Sequence, residues 1–507
     1  MNKFVNAVSY EADFNGVKTK TENGADARFS TGSKVLDMYG TIGALRNRSE
    51  YEIVEKFKAS WNEDALLTLK MAFYARNIRG GLGERDTARI CLRWVAQNYP
   101  ETMVKNFENV VKFGRADDLY TFIDTPIEKD MWAFIKATLY KDIERMNEKK
   151  SISLMAKWLK SVNTSSKESR KLGAMTAYNL GLSEKEYRKL LAEMRRYIGV
   201  LEVAMSSGDW KQVEYSAVPS RAMAKYRKAF KRHDSERFEK FLSRVEKGEV
   251  KINADTLYPY DLVKKYLTSC WDSCSREDRV VEAQWKALPN YIDGENNVLV
   301  MADVSGSMYC ADARPIASSI GLALYFAEHN QGDFHGLYMT FSRQPNFIKV
   351  QDGNTLCQNV KSVLNTGVGY DTNLEAAFDK ILDTCIKNNI SKEDMPKALV
   401  VVSDMQINCY NSGYGLDFVT EMALRFHQKG YTMPKLILWN VEARRDTFLA
   451  SKTNPYVQFA SGSSTSTFKS ILESIGMDAY EAMMKTLSNP LYDCCLLYTS
   501  DAADEGL

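Results

Sequence analysis

Three short stretches of this 507-residue chain gather side chains able to hold a hard cation. Asp303-Val-Ser305-Gly-Ser307 sets one carboxylate and two hydroxyls at alternate positions, on one side of a tight turn that Gly306 permits without a side-chain clash. Thr372 offers a third hydroxyl at the head of an apolar-periodic stretch, and Asp371 beside it could ligate or hydrogen-bond instead. Asp404 closes an apolar run. Oxygen donors of this kind suit Mg²⁺ or another divalent cation, held octahedrally with some waters retained. Asp303, Ser305, Ser307, Thr372 and Asp404 are therefore the candidate metal ligands.

Such a set works only if separate loops meet, and the sequence around it supplies the means. Residues 297–305, NVLVMADVS, form an apolar run ending in polar residues, as a buried parallel strand should. Further strands are expected at 335–342, 398–404, 435–441 and 456–459. Helices are expected between them, at about 374–385 and 416–430, with a last helix over 467–487. Strand–helix alternation predicts a doubly wound α/β domain over 290–490, in which loops at the C-terminal strand ends converge.

Residues 31–289 have a different texture. Ile53, Phe57 and Trp61 recur at four-residue steps, as do Ile135, Leu139 and Ile143. Ser183 and Glu186 form a capping box ahead of the stripe Tyr187, Leu190, Leu191, Met194 and Ile198. This predicts an all-α array of stacked helical hairpins, a HEAT-like helical-repeat domain, after an irregular arm over 1–30. Residues 496–507, LLYTSDAADEGL, resemble a translated sequencing adaptor and are set aside from the fold, with the natural C-terminus expected to be missing or replaced.

Composition narrows the function. No apolar run is long enough for a membrane helix and none resembles a signal peptide, so a cytoplasmic protein with no membrane partner is expected. Nine scattered cysteines and four histidines give no zinc pattern, Cys270 and Cys274 being explained equally by helical spacing. Residues 1–290 hold 51 Lys and Arg against 40 Asp and Glu, whereas 291–507 hold 16 against 25. A basic half suggests a polyanion, and equally a basic half docked on an acidic one.

The positive charge is clustered. Arg221, Lys225, Arg227, Lys228, Lys231 and Arg232 fall in a stretch free of acids, with Tyr226 and Phe230 interleaved at a spacing that favours the core. Arg76, Arg79 and Arg85 surround a glycine loop, where Glu84 can pair with Arg85. Lys157, Lys160 and Arg170 make a third group. Lys and Arg bind phosphates in a salt-dependent, largely sequence-independent way. No nucleophile–base–orienter set stands out, and the glycine loop lacks the Gly-Lys-Ser/Thr ending of a P-loop, so an enzyme is not expected.

The three oxygen-bearing loops, in their order, resemble the metal-ion-dependent adhesion site (MIDAS) of von Willebrand factor A domains. Residues 69–89, LKMAFYARNIRGGLGERDTAR, resemble the signature of the Ro (TROVE) ribonucleoprotein family. They look closer still to a Ro-like family of plants, large DNA viruses and bacteriophages. The fragments at 36–48, 113–120, 154–161 and 210–230 support the likeness, which covers about 30 to 490. It implies a helical-repeat array closed by an A-type domain that binds structured or misfolded RNA. It also implies a metal whose open position accepts an acidic side chain from a protein partner. The alternative is a scaffold without RNA, recruiting an acidic partner through the metal site.

Overall fold

A computed structural model describes residues 18–267, 277–365, 372–408 and 418–498. Cys270, Cys274, Asp371 and residues 499–507 lie outside the described residues. The chain divides into two compact units. One comprises residues 1–68, 79–84 and 254–489, and the other comprises 69–78, 85–253 and 490–507.

The first unit is built on a six-stranded sheet. Its strands are β3 (Val298–Asp303), β4 (Leu337–Phe341), β5 (Phe347–Lys349), β6 (Ala398–Ser403), β7 (Lys435–Asn440) and β8 (Val457–Ser461), following a separate N-terminal pair, β1 (Lys18–Lys20) and β2 (Asp26–Arg28). The sheet order is β5-β4-β3-β6-β7-β8, parallel except for β5 at one edge. β3, β6 and β7 are buried along their whole length, which is why they read as unbroken apolar runs. From β3 the chain winds outward to β4 and β5, then returns to β6 on the other side. The crevice between β3 and β6 is the topological switch point, where parallel sheets place their ligands.

Several elements depart from the sequence expectation. Residues 18–28 form an antiparallel hairpin within the stretch read as an irregular arm. Three-residue strands are too short to show alternation. β5 and the helix Leu356–Asn365 are also unannounced. The helix expected over 467–487 is two, Ser466–Ser474 and Ala479–Leu487, because Asp478 and Glu481 start the second with their own capping box.

Two contacts tie distant segments into this unit. Helix Pro259–Leu267 lies against helix Cys310–His329, so closely that a methyl at Gly321 would sit 2.7 Å from the Pro259 Cβ. The buried Glu84 carboxylate is shared by Arg46 and by Arg314, whose Nη2 donates at 3.0 Å. Glu84 thus pairs with these two arginines rather than with Arg85, whose Nε lies 3.1 Å from Asp86.

Among its described residues the second unit is built of helices joined by loops, with no strand. Helix Glu184–Ile198 shows the logic plainly. Ser183 and Glu186 satisfy each other's backbone N–H groups, Tyr187, Leu191 and Met194 are buried, and Gly199 ends the helix in the left-handed region at φ 74°. Helices Arg85–Asn98, Glu128–Asn147 and Lys167–Leu180 bury apolar faces in the same way.

Gly321→Ala is expected to destabilise the protein by about 1–3 kcal/mol, since the added methyl forces two packed helices apart. Gly476→Ala, where the methyl meets open space, should change stability by less than about 0.5 kcal/mol. Urea unfolding of both variants checks the contrast.

Candidate functional site

Parallel pairing of Ala302 with Val402 brings the ends of β3 and β6 side by side, so Asp303 and Asp404 leave the sheet as neighbours. Asp303 is buried. Its Oδ1 accepts the Ser305 N–H at 2.9 Å and its Oδ2 the Ser403 hydroxyl at 2.5 Å. Burial first, and then the charge of Asp404, push its pKa up to about 6. The Ser305 and Ser307 hydroxyls lie 3.1 Å apart in the loop that follows.

Asp404 is 1% exposed. Its Oδ1 accepts the Gln406 N–H at 3.2 Å, but its Oδ2 is buried and accepts no hydrogen bond. The nearest cation is Arg444, with Nη2 3.5 Å from that oxygen and a hydrogen bond to the Ser307 carbonyl. Desolvation raises the Asp404 pKa, against the pull of Ser307, Gln406 and Arg444. Thr372 is buried and joined to the cluster through Gln406, whose carbonyl accepts its hydroxyl at 2.6 Å. The five expected oxygen-bearing residues thus occupy one linked patch. Among the described residues, no three His, Cys, Asp or Glu gather as a metal cluster. The donor set is two carboxylates plus hydroxyls.

Sequence reasoning missed Ser403, Gln406 and Arg444. Ser403 is the last residue of β6, directly before Asp404, and could have been inferred from sheet alternation. Arg444 lies beyond β7, and no spacing rule connects it with Asp404. Also missed was the turn after β1. There Thr21 Oγ1 donates to the Ile407 carbonyl at 2.5 Å, the Glu22 N–H to Gln406 Oε1 at 2.8 Å and Asn23 Nδ2 to the Gln406 carbonyl at 2.7 Å.

In the helical unit the clustered cations separate into two kinds. Arg76 is 5% exposed and its guanidinium meets Asp118 Oδ2 at 2.7 Å, so it is an internal partner and presents nothing to a surface. Arg89 takes the other oxygen of Asp118 at 2.6 Å, while Arg115 and Lys160 each lie 2.9 Å from Asp117. Lys160 is thereby committed as well. Lys157 stands over the Trp158 ring, and exposed Arg170 donates to the Thr164 carbonyl at 3.3 Å. Arg85 of this unit is exposed, as is Arg79, which belongs to the first unit.

Helix Ser220–His233 is different. It buries Ser220, Met223 and Phe230. Arg221, Lys225, Lys228 and Arg232, at steps of four, three and four residues, are exposed on one opposite face. Lys231 faces Glu239 at 3.7 Å, Arg227 is half-buried, and Lys225 lies over Tyr226. Tyr226 is half-buried, and its ring centroid lies 6.4 Å from that of buried Phe230, as a core-directed pair. The last turn carries Lys231, Arg232 and His233, which the negative end of the helix dipole favours.

Comparison with known proteins gives matches along most of the chain. Residues 297–491 match a domain of unknown function, DUF7788, and residues 21–131 and 159–295 match another, DUF2828. The chain is 28% identical over 522 residues to uncharacterized protein L728 of Acanthamoeba polyphaga mimivirus, covering 93% of this chain and 88% of that one. The RO (RSR) protein of Deinococcus radiodurans, known from a crystal structure, matches at TM-score 0.43 and 16% identity over 90% of this chain and 99% of that one. Among the described residues no helix is long and apolar enough to cross a membrane.

Replacing Arg76 by Ala would leave Asp118 buried with one cation fewer. A loss of about 3 kcal/mol is expected in a urea melt, larger than for Ala at any exposed cation of helix Ser220–His233.

Proposed function

We propose that this chain is a Ro-like RNA-binding protein, gripping structured RNA through the basic face of its helical unit and carrying a von Willebrand factor A-type domain with a divalent metal site. The observation that carries the RNA reading is the stripe Arg221, Lys225, Lys228 and Arg232. These four exposed cations run over twelve residues of one helix, roughly 16 Å at the helical rise. Lys228 and Arg232 have no acidic partner among the described residues. Such a row supplies phosphate contacts without base readout, which suits structured or misfolded RNA better than one sequence. The excess of basic residues before position 290 supports the same reading. The function is binding, in the cytoplasm, without a catalytic step.

The A-type assignment is supported by the sheet order, the switch point between β3 and β6, and the loop chemistry there. The chemistry fits Mg²⁺. Asp404 Oδ2 is a buried carboxylate oxygen with no hydrogen bond, beside a second buried carboxylate and two hydroxyls. Asp303, Ser305, Ser307 and Asp404 would hold the ion, and Thr372 would join by turning its hydroxyl from the Gln406 carbonyl. When bound, the ion supplies an open coordination position for an oxygen ligand. That same oxygen favours a second reading, a scaffold that recruits an acidic protein through the metal and has no RNA function.

Filter binding with a structured RNA at 50 and 200 mM salt separates the two. Lys228→Glu with Arg232→Glu is expected to weaken binding at least roughly tenfold and to lower the salt slope by about 1.5–2. Binding indifferent to salt, or to this double change, would leave the scaffold. Calorimetric titration with Mg²⁺ or Mn²⁺ tests the metal, and Asp404→Ala should remove the binding while the thermal melt stays cooperative.

A further inference from the structure

The basic row on helix Ser220–His233 ends beside two stacked rings. The His233 imidazole lies parallel to the Trp210 indole, with centroids 4.8 Å apart and planes 5° from parallel. Trp210 is half-buried and meets the fully buried Phe230 ring edge-on, at 6.4 Å and 79°. His233 is exposed. The indole covers one of its faces, so the other face and the ring edge meet solvent. Neither His233 ring nitrogen takes part in a hydrogen bond among the described residues.

The two rings are tied together through Arg237. Its Nη1 donates to the Trp210 carbonyl and its Nη2 to the Val213 carbonyl, both at 2.8 Å. The same Nη1 lies 2.9 Å from Oδ2 of Asp234, the residue after His233. That oxygen also accepts the Tyr215 hydroxyl at 2.8 Å. One guanidinium therefore joins the segment bearing the indole to the helix end bearing the imidazole, and the stack is formed before any ligand arrives. His233 stands about 100° round the helix from Arg232, on the flank of the basic row. Lys211, exposed and next to Trp210 in the chain, has no acidic partner among the described residues. An exposed ring beside a row of cations suits an unpaired nucleotide: charge takes the phosphate and the ring takes the base.

We propose that the outer face of His233, backed by Trp210, is a stacking platform for one unpaired base of a bound RNA. This rests on the RNA-binding reading and narrows its substrate. The cations accept the phosphates of any strand, whereas the platform accepts only a base that is not already stacked on both faces. A continuous duplex offers no such base except at its ends. A loop or bulge does, and a phosphate resting on Lys228 or Arg232 leaves its base free to turn onto the flank where His233 stands. The platform does not distinguish one base from another, since every base has a π-face.

The test uses the full chain and two synthetic RNA hairpins that share one stem. One carries a loop of adenosines. The other carries a loop of abasic ribose phosphates of equal length, so the charge is matched and only the bases differ. In filter binding the wild type is expected to hold the adenosine loop about tenfold more tightly than the abasic loop. His233→Ala should bind the adenosine loop about tenfold more weakly and lose the preference. Its salt slope between 50 and 200 mM should stay that of the wild type, because no phosphate contact is removed. His233→Phe, which keeps a ring, should keep most of the preference. A thermal melt of each variant checks its fold, and the comparison of the two hairpins on the wild type needs no variant at all. If wild type and His233→Ala bind both hairpins alike and lose affinity with salt, the RNA reading stands and the stacked rings are surface packing only. If the wild type binds neither hairpin, the RNA reading itself fails, and this inference with it.

Discussion

A carboxylate taken out of water costs several kcal/mol unless a proton donor or a positive charge meets it. The first unit takes two out of water side by side, because parallel pairing of β3 with β6 puts Asp303, the last residue of β3, beside Asp404, the residue that follows β6. Asp303 is answered by the Ser305 N–H and the Ser403 hydroxyl. Asp404 is answered on one oxygen only, with the Arg444 guanidinium 3.5 Å from the other. The surrounding arrangement follows from this shortfall. Arg444 reaches in from beyond β7, the loop after β6 turns the Gln406 amide toward the acid, and the N-terminal hairpin is pinned to that same loop.

The helical unit solves a similar problem in the opposite sense. Asp117 and Asp118 are buried next to one another, but four cations surround them. The Asp117 pKa is lowered by Arg115, Lys160 and Arg89 against the desolvation that raises it. That cluster is closed and asks for nothing from outside. The same residue types at the two places therefore carry different meanings. One set is a finished internal network, and the other is an electrostatic deficit.

Legibility in the sequence tracked the length of the signal. β3, β6 and β7 could be read because six consecutive buried residues leave a continuous apolar run. The loops that end them could be read because Asp303, Ser305, Ser307 and Asp404 sit at fixed distances from those runs. β1, β2 and β5 could not, since three residues are fewer than two periods of alternation. The basic clusters were visible, but their fate was not. Arg76 and Arg221 look alike until Asp118, 42 residues from Arg76, is folded against it. Arg444 was invisible for the same reason, as was the bond between Glu22 and Gln406. Tertiary partners far apart in the chain leave no local pattern.

The compact units are discontinuous, and this bears on how the protein is made. The chain passes from one unit to the other after residues 68, 78, 84, 253 and 489. The backbone of Glu22 emerges from the ribosome 384 residues ahead of the Gln406 that will anchor it. At roughly 5–20 residues per second, that is a wait of about 20–80 s. Through that interval Val35, Leu36, Ile42 and Leu45, all destined for burial, are on a nascent chain whose sheet does not yet exist. A holding chaperone, or a slow codon schedule matched to the last strands, would protect the early segments. Neither unit can be released by one cleavage.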